Sequence, residues 1–248
     1  MPAYEAFAGL YDVLMDDVDY DAWANYYLEL IRRLGVEPRT LCDCACGTGS
    51  MSVRFAGRGL RVTGVDLSGD MLELARRKAL EHGVQVMFVR QDMCALALPR
   101  PVDALVCGCD GVNYLLDDDR LRAFFTRARE SLKPGGALAF DISSPSKLRD
   151  TLGNNFFGED REDVAYLWSN RFDEAARTVT MDLTFFTRER DGRYRRFDEL
   201  HVQKAHTPEH LLALLGECGF RQAQAFGDRR FDAPAPDEAR IHIAAIRE

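Results

Sequence analysis

No stretch of this chain approaches the uninterrupted apolar length that a bilayer-spanning helix needs. Its first residues, Met1-Pro2-Ala3-Tyr4-Glu5, lack the basic segment and apolar run of an export signal. Positive charge is also scarce: 32 Lys and Arg against 40 Asp and Glu leave a net charge of −8, which repels a nucleic-acid backbone. The local basic stretch from Arg188 to Arg196 is interleaved with acids and reads as a solvated hairpin tip. The seven cysteines are odd in number and have no spaced framework, which excludes a disulfide scaffold and fits reduced thiols. Cys42, Cys44 and Cys46 alternate along one apparent strand, and Cys107 and Cys109 along another. Zinc sites draw ligand pairs from loops with wider spacing, whereas alternate strand positions put small apolar side chains on one face, so no metal is expected. There are no internal repeats or low-complexity segments. The expectation is a soluble, unexported, cytoplasmic protein with neither a membrane nor a nucleic acid as its partner.

What is present is enough apolar content, 46% of 248 residues, for one α/β domain carrying a small insert. Trp23, Tyr26, Tyr27, Leu30, Ile31 and Leu34 recur at helical spacing between Asp19 and Leu34, and Gly35 stops that helix. Thr40 to Cys46, Leu60 to Asp66, Val84 to Val89, Val102 to Cys107 and Ala137 to Ile142 read as strands, the last entered through a Pro134-Gly135-Gly136 turn. Helices fall between them: one carrying Met51, Val53 and Phe55, one from about Asp70 to His82 with Ser68 as its cap, and one from Asp117 to Leu132. Such alternation implies a parallel sheet covered on both faces. After Ser143 the period changes to two, in Ala165 to Phe172, Thr178 to Arg188 and Arg195 to Lys204, with Asp191-Gly192 as a hairpin turn. A helix resumes at Thr207-Pro208, and Phe220 to Phe226 and Ile241 to Ile246 supply terminal strands. The predicted architecture is α/β: a Rossmann-like, seven-stranded, mostly parallel sheet built from residues 1–143 and 207–248, with an antiparallel β insert at 144–206 after the fifth strand.

The first strand turns into its helix through Asp43-Cys44-Ala45-Cys46-Gly47-Thr48-Gly49, where glycines let a ligand approach the backbone. A dinucleotide turn would end in a third glycine, but here Ser52 stands in that place, and Asp43 would repel a pyrophosphate and attract an ammonium group. Asp66 ends the second strand, where a carboxylate can accept from both ribose hydroxyls. Gln91-Asp92-Met93 follows the third. Each acid alone could be a turn cap. Three of them at successive strand ends crowd negative charge at one sheet edge with no structural return unless a ligand uses them.

These motifs resemble those of the class I S-adenosylmethionine-dependent methyltransferases, whose first motif runs acidic-x-Gly-x-Gly-x-Gly; Ala45 takes the place of the first glycine, which it can do with negative φ. The resemblance implies that Asp43 holds the methionine ammonium while Ala45, Cys46, Gly47 and Gly49 wrap the methionine. It places Asp66 and Leu67 at the ribose, and Gln91, Asp92, Met93 and Met71 around the adenine. The Leu132-Lys133-Pro134-Gly135-Gly136 turn is also similar to that family. The lead-in Tyr4, Phe7, Ala8, Tyr11, Asp12, Tyr20 and Trp23 resembles that of glycine and amino-sugar N-methyltransferases, in which it folds over the cofactor. Tyr11 and Trp23 are thereby candidates for the methionine end, the plainer alternative being that Trp23 packs the helix onto the sheet. Cys109-Asp110-Gly111-Val112-Asn113-Tyr114 resembles the stretch lining the methyl-transfer site. In the insert, expected to act as a lid, Glu199, His201 and Gln203 share one strand face. The catalytic candidates are His201 as a base, Glu199 and Tyr11; the alternative for His201 is an ordinary hydrogen-bonded or solvent-facing histidine. The function implied is methyl transfer from S-adenosyl-L-methionine, leaving S-adenosyl-L-homocysteine, to an amine or hydroxyl of a small molecule. RNA or protein acceptors, a nicotinamide-dependent oxidoreductase and a non-catalytic cofactor-binding regulator are the competing readings. The sequence specifies neither the acceptor nor the oligomeric state.

Overall fold

Strands and helices alternate because short apolar strands are each followed by a capped amphipathic segment. In order these are α1 (Ala8–Leu14), α2 (Tyr20–Arg33), β1 (Thr40–Cys44), α3 (Ser50–Gly57), β2 (Arg61–Asp66), α4 (Gly69–Glu81), β3 (Val86–Arg90), β4 (Val102–Cys107), α5 (Asp118–Ser131) and β5 (Leu132–Ser143). The insert supplies β6 (Phe156–Asp160), β7 (Val164–Asp173), β8 (Thr178–Arg188) and β9 (Tyr194–Lys204), and the chain returns through α6 (Pro208–Glu217), β10 (Phe220–Phe226) and β11 (Arg240–Arg247). This computed structural model describes residues 8–248, with side chains from Leu10 onward. The readings placed on Tyr4 and Phe7 lie outside the described residues. The caps are local: the side chains of Asp19, Ser68, Asp117 and Thr207 accept from backbone N–H groups in the first turns of α2, α4, α5 and α6.

The main sheet runs β10-β11-β5-β4-β1-β2-β3, with β5, β4, β1, β2 and β3 parallel and β11 antiparallel to both its neighbours. Alternate residues of β1 divide its two cores. Cys42 and Cys44 face Leu121, Phe124 and Phe125 of α5 and Leu211 and Leu215 of α6, while Leu41 faces α2 and α3 through Tyr27, Ile31 and Phe55. Each side chain of this size, fully buried, contributes about 1.5–3 kcal/mol. Among the described residues no helix is long and apolar enough to cross a membrane.

The structure departs from the sequence reading in four places. α1 is a helix that the sequence did not announce. The Pro134-Gly135-Gly136 turn lies inside β5, whose register against β4 slips between the Val102↔Leu132 and Ala104↔Ala137 pairs, with Gly135 at φ +76°. The insert has four strands in the order β6-β7-β8-β9, not three. A π-helical turn at Lys147–Leu152 brings Leu148 and Leu152 onto the inner face of the insert against Val179 and Met181.

Candidate active site

β1, β2, β3 and β4 are parallel, so their carboxyl ends open on one edge, and a cavity of about 530 Å³ lies there. Its wall includes Ala45 and Gly47 after β1, Asp66 and Leu67 after β2, Gln91, Asp92 and Met93 after β3, Met71 from α4, Cys109 and Tyr114 after β4, and Tyr11 from α1. A side pocket of about 40 Å³ adjoins it and is lined by Asp43, Cys46, Thr48, Ser50 and Tyr20, sharing Tyr11, Ala45, Gly47 and Cys109 with the cavity.

Gly47 stands at φ +53°, and a Cβ there would meet no atom within 4 Å; a side chain at this position would occupy the cradle itself. Gly49, at φ +73°, serves a different purpose. An added Cβ would lie 2.9 Å from the Ala75 Cβ, so this glycine lets the start of α3 pack on α4 and lines neither pocket. Ala45 corrects the sequence reading: its φ is +54°, not negative, a left-handed conformation that costs an L-residue about 1–2 kcal/mol. Cys109 and Asp110, also at φ +54°, repeat that strain where the chain leaves β4.

The three carboxylates differ in their duties. Asp66 accepts the Gly47 and Ser68 N–H groups, each at 2.8 Å, one on each oxygen, and burial raises its pKa against those two bonds. Asp66 also lines the cavity, and these two bonds do not exhaust the acceptor capacity of a carboxylate. Asp43 is buried beside the side pocket and accepts from Ser52 Oγ at 2.5 Å. Burial, reinforced by the Asp66 charge, pushes Asp43 up to about 7 against that bond. Asp92 caps the short 3₁₀ turn Met93–Ala95 by accepting from the Cys94 N–H at 2.9 Å, and the Arg120 guanidinium lies 3.3 Å from its Oδ2. Gln91 touches the cavity, yet its side-chain amide is committed to the backbone of Ala97 at 3.0 and 3.2 Å. Arg120 itself lines the cavity; no sequence signal had marked it beyond its place in the first turn of the helix that follows β4.

Trp23 is not brought to the cavity. It packs among Tyr27 and His242, ring centroids 6.2 and 5.6 Å away, with the Arg240 guanidinium 5.0 Å from its ring. That guanidinium belongs to a buried cluster. Asp141, fully buried on β5, accepts from the Tyr27 hydroxyl at 2.7 Å, from the Asp110 N–H at 3.0 Å and from Arg240, while Arg240 also reaches Asp110 at 3.0 Å. Gln203 of β9 donates to Asp110 at 2.6 Å, and Asn113 donates to the carbonyls of Ser143 and Lys204, at 3.0 and 2.9 Å. The insert is therefore hydrogen-bonded to the loop that shapes the cavity.

His201 and Glu199 are buried on the inner face of β9, but neither lines the cavity. His201 Nδ1 is 3.3 Å from the hydroxyl of Tyr114, which does line it, and Glu199 Oε2 is 4.0 Å from His201 Nε2. Burial lowers the His201 pKa to about 4, so the imidazole is neutral at pH 7. The sequence reading offered His201 as a base, with Glu199 and Tyr11 as further catalytic candidates. The structure interposes Tyr114, the last residue of the quoted Cys109 to Tyr114 stretch.

A family model described as a methyltransferase domain matches residues 41–136. A protein of Geobacillus sp. (strain WCH70) named as a methyltransferase is 36% identical over 243 residues, 98% of each chain. A dTDP-4-amino-2,3,4,6-tetradeoxy-D-glucose N,N-dimethyltransferase of Saccharopolyspora spinosa is 28% identical over 82% of this chain and 80% of its own. Among solved structures, an S-adenosylmethionine-dependent methyltransferase from Clostridium acetobutylicum ATCC 824 superposes with a TM-score of 0.87 at 31% identity, covering 98% of both chains.

Proposed function

The chain belongs to the S-adenosylmethionine-dependent methyltransferases, and from that premise we propose that it methylates a small molecule, an amine being the acceptor the site favours over a hydroxyl. The observation that carries this reading is the Tyr114–His201 pair, a hydroxyl on the cavity wall backed by a buried neutral imidazole that can orient an uncharged amine but is too weak a base to ionise a hydroxyl acceptor. The similarity to an enzyme named for a nucleotide-linked amino sugar supports an amine, and the net charge of −8 disfavours RNA.

The residues present fit the cofactor. Gly47 leaves its cradle open, Asp66 lines the cavity with acceptor capacity to spare, and the raised pKa of Asp43 is the mark of a carboxylate that a cation in the side pocket would stabilise. S-adenosylmethionine, when bound, supplies a methyl group on a sulfonium. Asp43 binds its ammonium, Asp66 its ribose hydroxyls, and Asp92 with Met71 and Met93 its adenine. Tyr11 and Cys109, shared by both pockets, exclude water from the reacting end. A Tyr114 hydroxyl that donates to His201 Nδ1 presents its oxygen to the N–H of an uncharged amine, orienting the nitrogen lone pair for in-line attack. Methylation converts the amine into an ammonium whose extra proton leaves to solvent with the product, because an imidazole lowered to about 4 does not retain it; His201 acts by holding the Tyr114 hydroxyl in its donor orientation. The insert, residues 144–206, acts as the acceptor lid, tied to the loop after β4 through Gln203, which donates to Asp110, and through the Lys204 carbonyl, which accepts from Asn113.

The test is transfer from methyl-labelled S-adenosylmethionine into cell-extract fractions, followed by a panel of amino sugars, simple amines and phenols. Label in the ultrafiltrate and turnover on amines are expected. Label retained in RNA or protein would overturn the acceptor class, and turnover on phenols alone would leave the hydroxyl reading.

A further inference from the structure

Lys78 lies on α4, and none of the cofactor motifs includes it. Its Nζ donates to Asp12 Oδ2 at 2.7 Å, to Ser50 Oγ at 2.6 Å and to Thr48 Oγ1 at 2.9 Å, which engages all three ammonium hydrogens. Thr48 in turn donates its own hydrogen to Asp12 Oδ1 at 2.7 Å. A closed ring of hydrogen bonds thus joins α1, the glycine turn after β1 and α4. The Lys78 side chain is only 16% exposed, so this pairing is better shielded than an ordinary surface ion pair.

The arrangement does nothing for α3. Ser50 begins that helix, and a cation at a helix N-terminus opposes the macrodipole. What the ammonium does hold is α1, a helix of seven residues, too short to persist without tertiary anchors. Among the described residues a second charged tie reaches the end of α1: Arg161 of the insert donates to the Val13 carbonyl at 2.7 Å and to Asp16, just beyond the helix, at 3.1 Å. Asp12 directly follows Tyr11, the α1 residue that lines both the cavity and the side pocket, and Thr48 and Ser50 line the side pocket from the opposite side of the ring.

We infer that Lys78 is a positioning residue for methyl transfer: by capturing Asp12 against Thr48 and Ser50, it docks α1 so that Tyr11 closes the methionine end of the cavity. The inference rests on the reading of that cavity as the S-adenosylmethionine site. Lys78→Met is expected to weaken S-adenosylhomocysteine binding in titration calorimetry by at least about tenfold. In hydrogen-exchange mass spectrometry, the variant's α1 amides should exchange faster without ligand and lose the protection that ligand gives the wild type. Asp12→Asn, on the exposed side of the ring, should reproduce both effects, and the double variant should add little to either single one. It also serves as the test should Lys78→Met fail to fold. If the variants bind and exchange as the wild type does, the positioning role is overturned while the cofactor reading stands. If the wild type itself fails to bind S-adenosylhomocysteine, the cofactor reading falls and the purpose assigned to Lys78 falls with it.

Discussion

At the edge of the parallel sheet, Asp43, Asp66 and Asp92 stand within a residue or two of the ends of β1, β2 and β3, whereas in the insert Glu199, His201 and Gln203 occupy alternate positions inside one strand, β9. The first set is addressed by backbone geometry: a parallel strand ends, the chain turns, and whatever side chain stands there faces the same edge. The second is addressed by parity and register. Because Met181 pairs with His201, a slip of one residue between β8 and β9 would send the imidazole to the outer face. Side chains at the sheet edge are thus placed by where a strand ends, while those of the insert are placed by its pairing, a difference that fits the proposed split between a donor site on the sheet and an acceptor lid.

The sharpest way to break that division is His201→Ala. Loss of the imidazole proposed to orient the Tyr114 hydroxyl should lower turnover on an identified amine by about 100-fold, with S-adenosylhomocysteine affinity within about twofold of the wild type. An affinity loss as large as the turnover loss would show that the two regions do not work separately. Asp66→Ala should do the reverse and weaken S-adenosylhomocysteine binding by about 1–3 kcal/mol, measured by calorimetry, because two ribose hydroxyls lose a charged acceptor.

Asp43→Asn tests the cost of the sheet's design. The folded pKa of Asp43, about 7, lies above its unfolded value, so the fold binds the proton more tightly and loses stability as pH rises from about 4 through 7. The asparagine variant should be more stable than the wild type by about 1–2 kcal/mol at pH 8, with the gain vanishing near pH 4 and with cofactor binding impaired throughout. Urea melts at both pH values give the answer; a gain that persisted at pH 4 would refute the assignment. The smallest effect belongs to Ala45→Gly. Relief of the left-handed strain at φ +54° should stabilise by about 0.5–1 kcal/mol, read as a higher urea midpoint at unchanged slope.

The sheet, the helix caps and the row of acids along one sheet edge were legible because their signals are local: an N-cap serine at 68, Thr207-Pro208 before α6, acids at strand ends. The sign of φ at Ala45 was not, since only the path of the turn between β1 and α3 decides it. β6, Phe-Phe-Gly-Glu-Asp, is a short edge strand interrupted by glycine, and its identity comes from pairing with β7 rather than from its own alternation. Trp23 carried an aromatic signal that cavity and core explain equally well, and the core won through His242, which arrives from β11. Lys78 and Arg240 were invisible for the same reason: their partners lie 66 residues away at Asp12 and 99 residues away at Asp141.

β11 has a consequence for how the protein is made. It lies between β5 and β10, pairing Arg240 through Ile246 with Ser143 through Ala137, yet among the described strands it comes last in chain order. Until it emerges, a nascent chain holds β5 with one bare edge of unpaired N–H and C=O groups, and Asp141 without the guanidinium that neutralises it. A chain stalled before Arg240 thus presents a sticky apolar edge around Leu138 and Phe140 to its neighbours.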